Sequence, residues 1–292
     1  MKRLKYVIFF TAFVAAKSLA AQTGSDQAVQ LYQEALKLSD LAQKEAKLKE
    51  AIAVDAKLIE AHIALGNVYL TNKTSNLAIG AFSNAIGVDA QSEQAFLGLG
   101  LAHRLAGQNA EAKGAFEYIT KLKPDFAPAH FELGVTLIAL KSYPEAEKAL
   151  QQAVLLNPEG GSAFSQLGLL YFQQGKRAES KAAFQSALKN NPNDRVAADY
   201  LGRINRDENI ADLIGKARRS LAQKRLQEAR RFVADALAAD GGNREARRLK
   251  TQIDREISNS QKQPVERPKA SEAKKKEAVD APDHYAKGLE HL

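Results

Sequence analysis

The chain has 292 residues, of which 45% are hydrophobic, and its formal net charge is +8. This apolar content is sufficient for a large core. Cysteine is absent, which excludes disulfide bonds, thiol catalysis, thiolate metal sites and a lipoprotein anchor.

Residues 1–21 have the pattern of an export signal. They open with three basic residues, which are Lys2, Arg3 and Lys5. A short apolar run, Tyr6 to Ala16, comes next, and Ser18-Leu19-Ala20 forms a small-x-small cleavage site, although Lys17 interrupts the usual order. The alternative is an uncleaved anchor, but the run is shorter than the roughly 18–20 apolar residues that a membrane span needs. We therefore predict a cleaved signal peptide and a periplasmic protein, with secretion as the alternative and membrane contact at most peripheral.

Residues 22–58 predict a degenerate N-terminal helical pair. Apolar residues cluster on one side of each helix, but Leu31 is followed by Tyr32 rather than by glycine. Terminal units of repeat proteins are often atypical, because one face meets water.

Residues 59–194 contain a 34-residue repeat. Glycines recur at this interval and continue once beyond the segment: Gly66, Gly100, Gly134, Gly168 and Gly202. A leucine precedes each glycine, and prolines follow the same interval at Pro124, Pro158 and Pro192. Small and apolar residues lie at helical spacings within each unit, which predicts two closely packed helices per unit. Four regular units follow one another in this segment.

These slots resemble the tetratricopeptide repeat family, with Leu-Gly, a tyrosine three positions later at Tyr69 and Tyr171, and then Ala, Phe, Ala and Pro. The resemblance is strong over 59–194 and fainter over about 25–58 and 195–258. It implies an all-α fold, a right-handed solenoid of antiparallel helix pairs with a concave groove. It also implies protein or peptide binding and no enzyme activity.

The family geometry places the fifth, ninth and twelfth positions of each unit on the groove. The site residues predicted in this way are Ile63, Asn67, Leu97, Leu101, Arg104, Phe131, Val135, Ile138, Leu169 and Phe172, with Leu70 and Ser165 in the two remaining slots. Most of them are apolar, which favours an amphipathic helix or an apolar extended segment as the partner. Family members that grip a carboxylate use Lys, Asn and Arg at such positions, so that mode is not expected here. The alternative is that some of these side chains are core residues between tightly wound helices.

Residues 195–258 change phase and are basic. Apolar stripes end near Ile204 and resume at Ile210, which predicts a very short connection between them. Either 213–243 forms a degenerate repeat that is a little less than half a unit out of register, or 210–223 is the partner helix of 195–208. The arginines proposed as a patch are Arg218, Arg219, Arg225, Arg230, Arg231, Arg247 and Arg248, and Arg244 lies among them. They form either a site for an anionic partner or a set of solvated helix faces.

The last residues predict a linker over 259–283 and a short helical tail over 284–292. Three prolines and a run of lysines favour disorder in the linker. The tail resembles the opening half of a repeat helix. It is either a remnant or an element that docks in the groove of its own chain.

No residues indicate catalysis, a metal site or a cofactor. His62, His103 and His130 occupy packing slots of the repeat, and no histidine has ligand spacing with carboxylates. The glycines belong to the repeat and not to a phosphate-binding loop. Export and the lack of aromatic residues among the arginines argue against nucleic acid, and no small-molecule substrate is indicated.

Two functional hypotheses follow. The first is a non-enzymatic scaffold of the periplasm or cell envelope that binds a protein or peptide segment in an apolar concave groove and serves complex assembly. The alternative is an envelope protein that binds an anionic polymer, a lipid surface or an acidic partner through the arginine-rich region 216–248.

Overall fold

The computed structural model describes residues 24–262, and all regular elements in this range are helices. The predicted signal peptide, the tail and nearly all of the predicted linker lie outside the described residues. The helices are α1 (24–37), α2 (Leu41–Val54), α3 (Ile59–Thr71), α4 (Ser75–Val88), α5 (Glu93–Leu105), α6 (Asn109–Leu122), α7 (Ala127–Ala139), α8 (Tyr143–Leu156), α9 (Gly161–Gln173), α10 (Arg177–Asn190), α11 (Arg195–Ala222), α12 (Leu226–Ala239) and α13 (Arg244–Lys262). Over residues 24–262, no helix is both long and apolar enough to cross a membrane.

The chain divides into two compact units, one ending at Ile204 and one starting at Asn205. In the first unit, successive helices form the pairs α3/α4, α5/α6, α7/α8 and α9/α10. The second helices α4, α6 and α8 also contact the first helix of the next pair, and the first helices α3, α5, α7 and α9 contact one another in sequence. The fold is an all-α helical repeat solenoid, as the constant interval of the glycine ladder predicts.

Glycines of the ladder allow the two helices of a pair to approach closely. A Cβ atom added at Gly66 would lie 2.6 Å from the ring of Phe82, closer than real Cβ contacts. Gly134 and Gly168 meet Leu150 and Phe184 in the same way. The Phe82 ring also lies against Gly98 of the next pair, so it fills the space between consecutive repeats.

The turn within each pair depends on one residue with a left-handed backbone. This residue is Lys73, Gly107, Lys141 and Gly175 in the four regular repeats, with φ between 57° and 77°. The next residue donates its backbone N–H to a carbonyl five positions earlier, as Thr74 does to Tyr69 at 2.9 Å. Such a turn satisfies carbonyl groups that a helix end leaves free.

The same turn recurs in the second unit, out of register. Lys224 has φ 56°, and Arg225 N donates to the Ser220 carbonyl at 2.9 Å. Four repeat lengths counted from Lys73 end before Lys224 is reached. Lys224 lies a little less than half a repeat farther along the chain. Both ends of α12 and the start of α13 follow those of α4 and α5 with this same offset.

The second unit therefore has the arrangement in which the repeat restarts late, out of register with the first four. The C-terminal half of α11 is its first helix and α12 is its second. The predicted short connection near 208–210 is wrong, because Arg195–Ala222 is one continuous helix of 28 residues. Ile210 and Ile214 of α11 share a core with Val233 of α12 and Ile253 of α13.

Gly202 differs from the other four ladder glycines. A Cβ atom added there would meet nothing within 4 Å, and the residue is exposed. Phe82 packs on Gly66 from the second helix of the same repeat. At the same spacing after Gly202 the chain has Arg218, and this residue lies on the same helix as Gly202. Gly202 continues the sequence ladder without the close contact that explains the other glycines.

Candidate partner-binding faces

The predicted groove residues lie on α3, α5, α7 and α9, the first helices of the four regular repeats. We call these residues the first-helix face: Ile63, Asn67, Leu70, Leu97, Leu101, Arg104, Phe131, Val135, Ile138, Leu169 and Phe172. Asn67 is exposed and all the others are half-buried, whereas Ser165, in the equivalent slot of α9, is buried. Because the first helices contact one another, the structure brings these side chains onto neighbouring elements.

The half-buried apolar residues of this face, with the exception of Val135, also pack on the core. Ile63 packs on the core of the first repeat, and Leu97 and Leu101 pack on the core that contains Phe116. The ring of Phe172 makes an edge-to-face contact with Tyr200, with centroids 4.9 Å apart. These side chains are therefore packed on the core on one side and partly exposed on the other, so both interpretations, groove and core, apply to them.

Arg104, the one cation among the predicted face residues, is engaged within the chain. Its Nη1 lies 2.7 Å from Glu132 Oε2, and the Glu132 side chain is 17% exposed. Over residues 24–262, this oxygen has no hydrogen bond of good geometry, although the charges are paired. Burial raises the pKa of Glu132 above its ordinary value, and the Arg104 guanidinium only partly opposes this shift. Arg104 is thus committed to neutralising a buried carboxylate and is a poor clamp for another one.

An open cavity of about 240 Å³ lies beside Phe131, between α7, α8 and α9. It is lined by Ala127, Pro128, Phe131, Ala153, Asn157, Gly160, Ser162 and Ala163. The corresponding slot holds Leu58, Ser92 and Phe126 in the preceding repeats, and Leu58 and Phe126 are partly buried and pack on the neighbouring core. Gly160 provides no side chain there, so the space stays open to solvent beside the face.

The arginines of the predicted patch differ in their partners. Arg225 pairs with Glu228, Arg230 with Asp254, and the Arg247 Nε–H donates to the Gly241 carbonyl at 2.8 Å. Arg218 and Arg248 do converge, together with Arg244. They line an open cavity of about 740 Å³ between α11 and α13, with Glu245, Leu249 and Gln252 completing the lining.

Two of the described histidines hydrogen-bond to backbone carbonyls. His62 Nε2–H donates to the Ala56 carbonyl at 3.0 Å, and His130 Nε2–H donates to the Pro124 carbonyl at 2.9 Å. These carbonyls can only accept, so the bonds fix the tautomer. In the described part of the chain, no three His, Asp or Glu side chains come together in a group that could hold a metal ion.

Sequence reasoning missed Glu132, Gly160 and Gln252. Gly160 gave only a weak signal, because its slot holds Leu58, Ser92 and Phe126 in the preceding repeats and is therefore not consistently apolar. Glu132 and Gln252 gave none, because a charged or amide residue on a helix is ordinary until its burial or its neighbours are known.

The geometry defines a helical repeat protein with two chemically different exposed regions. Two family models described as tetratricopeptide repeat match residues 103–167 and 161–194. Residues 103–194 are therefore tetratricopeptide repeats, and such repeats are protein-interaction modules.

Solved structures of tetratricopeptide proteins share the fold. YrrB, a tetratricopeptide repeat protein described as having an unusual peptide-binding site, is 20% identical, with a TM-score of 0.52 over 65% of this chain and 96% of YrrB. PilF of Pseudomonas aeruginosa is 15% identical, with a TM-score of 0.53 over 80% of this chain and 99% of PilF. PilW, described as a type IV pilus biogenesis factor, is 18% identical, with a TM-score of 0.53 over 77% and 97%. No curated protein sequence matches the chain.

Proposed function

We propose that this protein is a non-enzymatic scaffold of the cell envelope that binds a partner protein segment on the first-helix face. One observation carries the proposal. Partly exposed apolar side chains occupy the fifth, ninth and twelfth positions of the repeat, in three of the four consecutive first helices at each position. All of them except Val135 also pack on the core beneath. A face of this kind offers apolar area at low entropic cost, because its side chains are already held in place.

The chemistry of the face favours an amphipathic helix or an apolar extended segment. Arg104 is paired with Glu132 and so contributes little free charge. The cavity at Gly160 adds a recess next to Phe131. The equivalent slot receives Leu58 and Phe126 in two other repeats and Ser92 in a third, so a leucine or phenylalanine of the partner suits this recess.

The comparison with YrrB supports a peptide-binding role in general terms. That protein is described as having a peptide-binding site, and it shares this fold at 20% identity. An identity this low concerns the fold alone, so the choice of face rests on the residues of this chain.

The envelope location rests on the export pattern of residues 1–21. We expect the mature protein to begin near residue 22 and to fractionate with the periplasm. Mass spectrometry of the protein purified from periplasmic extract tests this. An intact Met1 on protein held in the cytoplasm contradicts the location without affecting the proposed face.

The binding face is tested with single substitutions and a matched control. Val135→Glu places a charge on the central repeat at a half-buried position that joins none of the described core clusters. Asn67→Glu does so at an exposed position and is tolerated by the fold. The control is Leu155→Glu, which introduces the same charge at an apolar residue that is 71% exposed on α8, a second helix.

Each full-length variant is used to capture envelope proteins at low and high salt, after circular dichroism shows that it is folded. Partners held by apolar contact are retained at high salt by the wild type and by Leu155→Glu, and are lost with Val135→Glu and Asn67→Glu. A photo-reactive residue at position 67 should crosslink the same partner, and one at position 155 should not. Equal capture by all four proteins would refute the proposal.

A further inference from the structure

The arginine cavity lies on the equivalent of the first-helix face in the second unit. When the two units are aligned on their turns, so that Lys224 matches Lys73, Arg218 occupies the slot of Asn67. Arg248 occupies the slot of Leu97, and Gln252 that of Leu101. The two cations therefore occupy slots that the regular repeats fill with uncharged residues.

The packing beneath these arginines is that of a regular repeat. Ala217 replaces Gly66 and Val233 replaces Phe82, and both are buried in the core of the second unit. Asn243 caps α13 by accepting from Ala246 N at 3.0 Å, as Ser92 caps α5. The scheme of packing is retained while the outward side chains become basic, so the basic character belongs to the surface and not to a change of fold.

The cavity carries a surplus of positive charge. Arg218 pairs with Glu245, whereas Arg244 and Arg248, one helical turn apart, have no carboxylate partner among the described residues. Three guanidinium groups and one carboxylate leave a net charge of +2. Exposed guanidinium groups bind carboxylates through paired, nearly parallel hydrogen bonds.

We infer that this cavity binds an acidic peptide segment through the side-chain carboxylates of two or more Asp or Glu residues. Charge complementarity requires anionic groups, and the surplus of two charges matches a pair of carboxylates. The volume of about 740 Å³ is far larger than one small anion needs and accommodates several side chains. Gln252 on the cavity wall provides an amide that a peptide backbone can pair with.

The inference goes beyond the proposed function, because it concerns a second surface and a charged ligand. The probe is a fluorescein-labelled hexaglutamate peptide with an amidated C-terminus, so that all its unlabelled carboxylates are side chains. Binding to the full chain is followed by fluorescence anisotropy at fixed ionic strength. Arg244→Gln with Arg248→Gln removes two cavity charges. Arg225→Gln with Arg231→Gln removes two charges at the start of α12, outside the cavity lining, and is the matched control.

We expect the cavity variant to bind the peptide about tenfold more weakly or worse, because two charge-assisted contacts are lost. The control variant should lose less than about threefold, since it changes only the long-range field. Equal losses in both variants would show a response to net charge alone and overturn the inference. Competition by inorganic phosphate as effective as that of unlabelled peptide would also overturn it, because the site would then take any small anion.

The proposal for the first-helix face and the proposal for the arginine cavity can be refuted independently. Val135→Glu should leave hexaglutamate binding unchanged, and the cavity variant should still capture partners that survive high salt. Reduced hexaglutamate binding in Val135→Glu would contradict the assignment of the peptide to the arginine cavity.

Discussion

Two glycines of one sequence ladder should respond in opposite ways to the same substitution. Gly66→Ala places a Cβ atom 2.6–2.8 Å from three carbons of the Phe82 ring. The ring is 1% exposed and cannot retreat, because Gly98 of the next repeat lies against its other side. Overpacking of this kind costs about 1–3 kcal/mol, while alanine gains up to about 1 kcal/mol over glycine in a helix. We expect a net loss of about 1–2 kcal/mol of unfolding free energy.

Gly202→Ala receives the helical gain without the clash. The added Cβ atom meets nothing within 4 Å, so the variant should be more stable than the wild type by up to about 1 kcal/mol. Both positions lie in the first unit and so report on the same unit. Urea denaturation followed by circular dichroism measures both, and 1 kcal/mol shifts a midpoint by about 0.3–0.5 M for an m-value of about 2–3 kcal/mol per molar. A Gly66→Ala midpoint at or above that of Gly202→Ala would refute the packing argument.

Three further substitutions test local features of the structure. Gly160→Phe fills the cavity beside Phe131, which is worth about 1–2 kcal/mol, and the backbone at Gly160 (φ −74°, ψ 85°) is close to that at Phe126 (φ −86°, ψ 89°). Its Cβ atom would lie 3.1 Å from the Asn157 carbonyl oxygen, so we expect a smaller net gain in unfolding free energy, up to about 1 kcal/mol; a lowered melting temperature would contradict this. Lys141→Gly should stabilise by up to about 1 kcal/mol, because φ is 60° at this turn residue, and a destabilised variant would show that the lysine side chain matters more than the backbone. Glu132→Gln should remove a pH dependence. The folded-state pKa of Glu132 is raised, so the folded state binds the proton more tightly than the unfolded chain, and the wild type loses stability as pH rises from the ordinary carboxyl range through the raised pKa. The stability of the variant relative to the wild type should therefore grow over that interval. Melting temperatures are measured for both proteins at several pH values, and a difference between them that stays constant with pH would exclude this contribution.

The regular repeats could be predicted from the sequence because their signal is redundant. Leucine, glycine and the second-helix slots at Ala78 and Phe82 all return at one interval, and a shared interval fixes the fold without any contact being known. The turn residues with a left-handed backbone could not be predicted from the sequence. Lysine and glycine alternate there, so composition alone does not mark the position.

After residue 194 the structure departs from the regular repeat, and the glycine ladder alone does not predict this departure. Gly202 continues the glycine series, but the Phe82 slot of that unit holds Arg218, and an arginine cannot fill a buried aromatic slot. That mismatch was the available sign that no second helix follows. Residues 195–222 instead form one continuous helix, although the segment contains Gly202 and Gly215.

The candidate faces were less predictable than the fold for a physical reason. Periodicity states which side of a helix a residue lies on, but its burial depends on how closely the next repeat packs. Phe131 illustrates this, since its exposure depends partly on the missing side chain at Gly160, where the next repeat begins. The arginines show the same limit. Arg218 and Arg248 lie on different helices, α11 and α13, and converge, whereas Arg247, adjacent to Arg248, donates to a loop carbonyl instead.

A helical repeat separates the residues that hold the fold from those that select the partner. The contact between Gly66 and Phe82 and the contact between Ala217 and Val233 are the same structural device with different volumes. At the position that follows each small residue, the outward slot holds Asn67 in one case and Arg218 in the other. Because the outward slot contributes little to the core, its charge can change at small cost in stability. The order of slots along the solenoid therefore allows one chain to carry an apolar face and a cationic face built on the same turn, the same cap and the same helix pair.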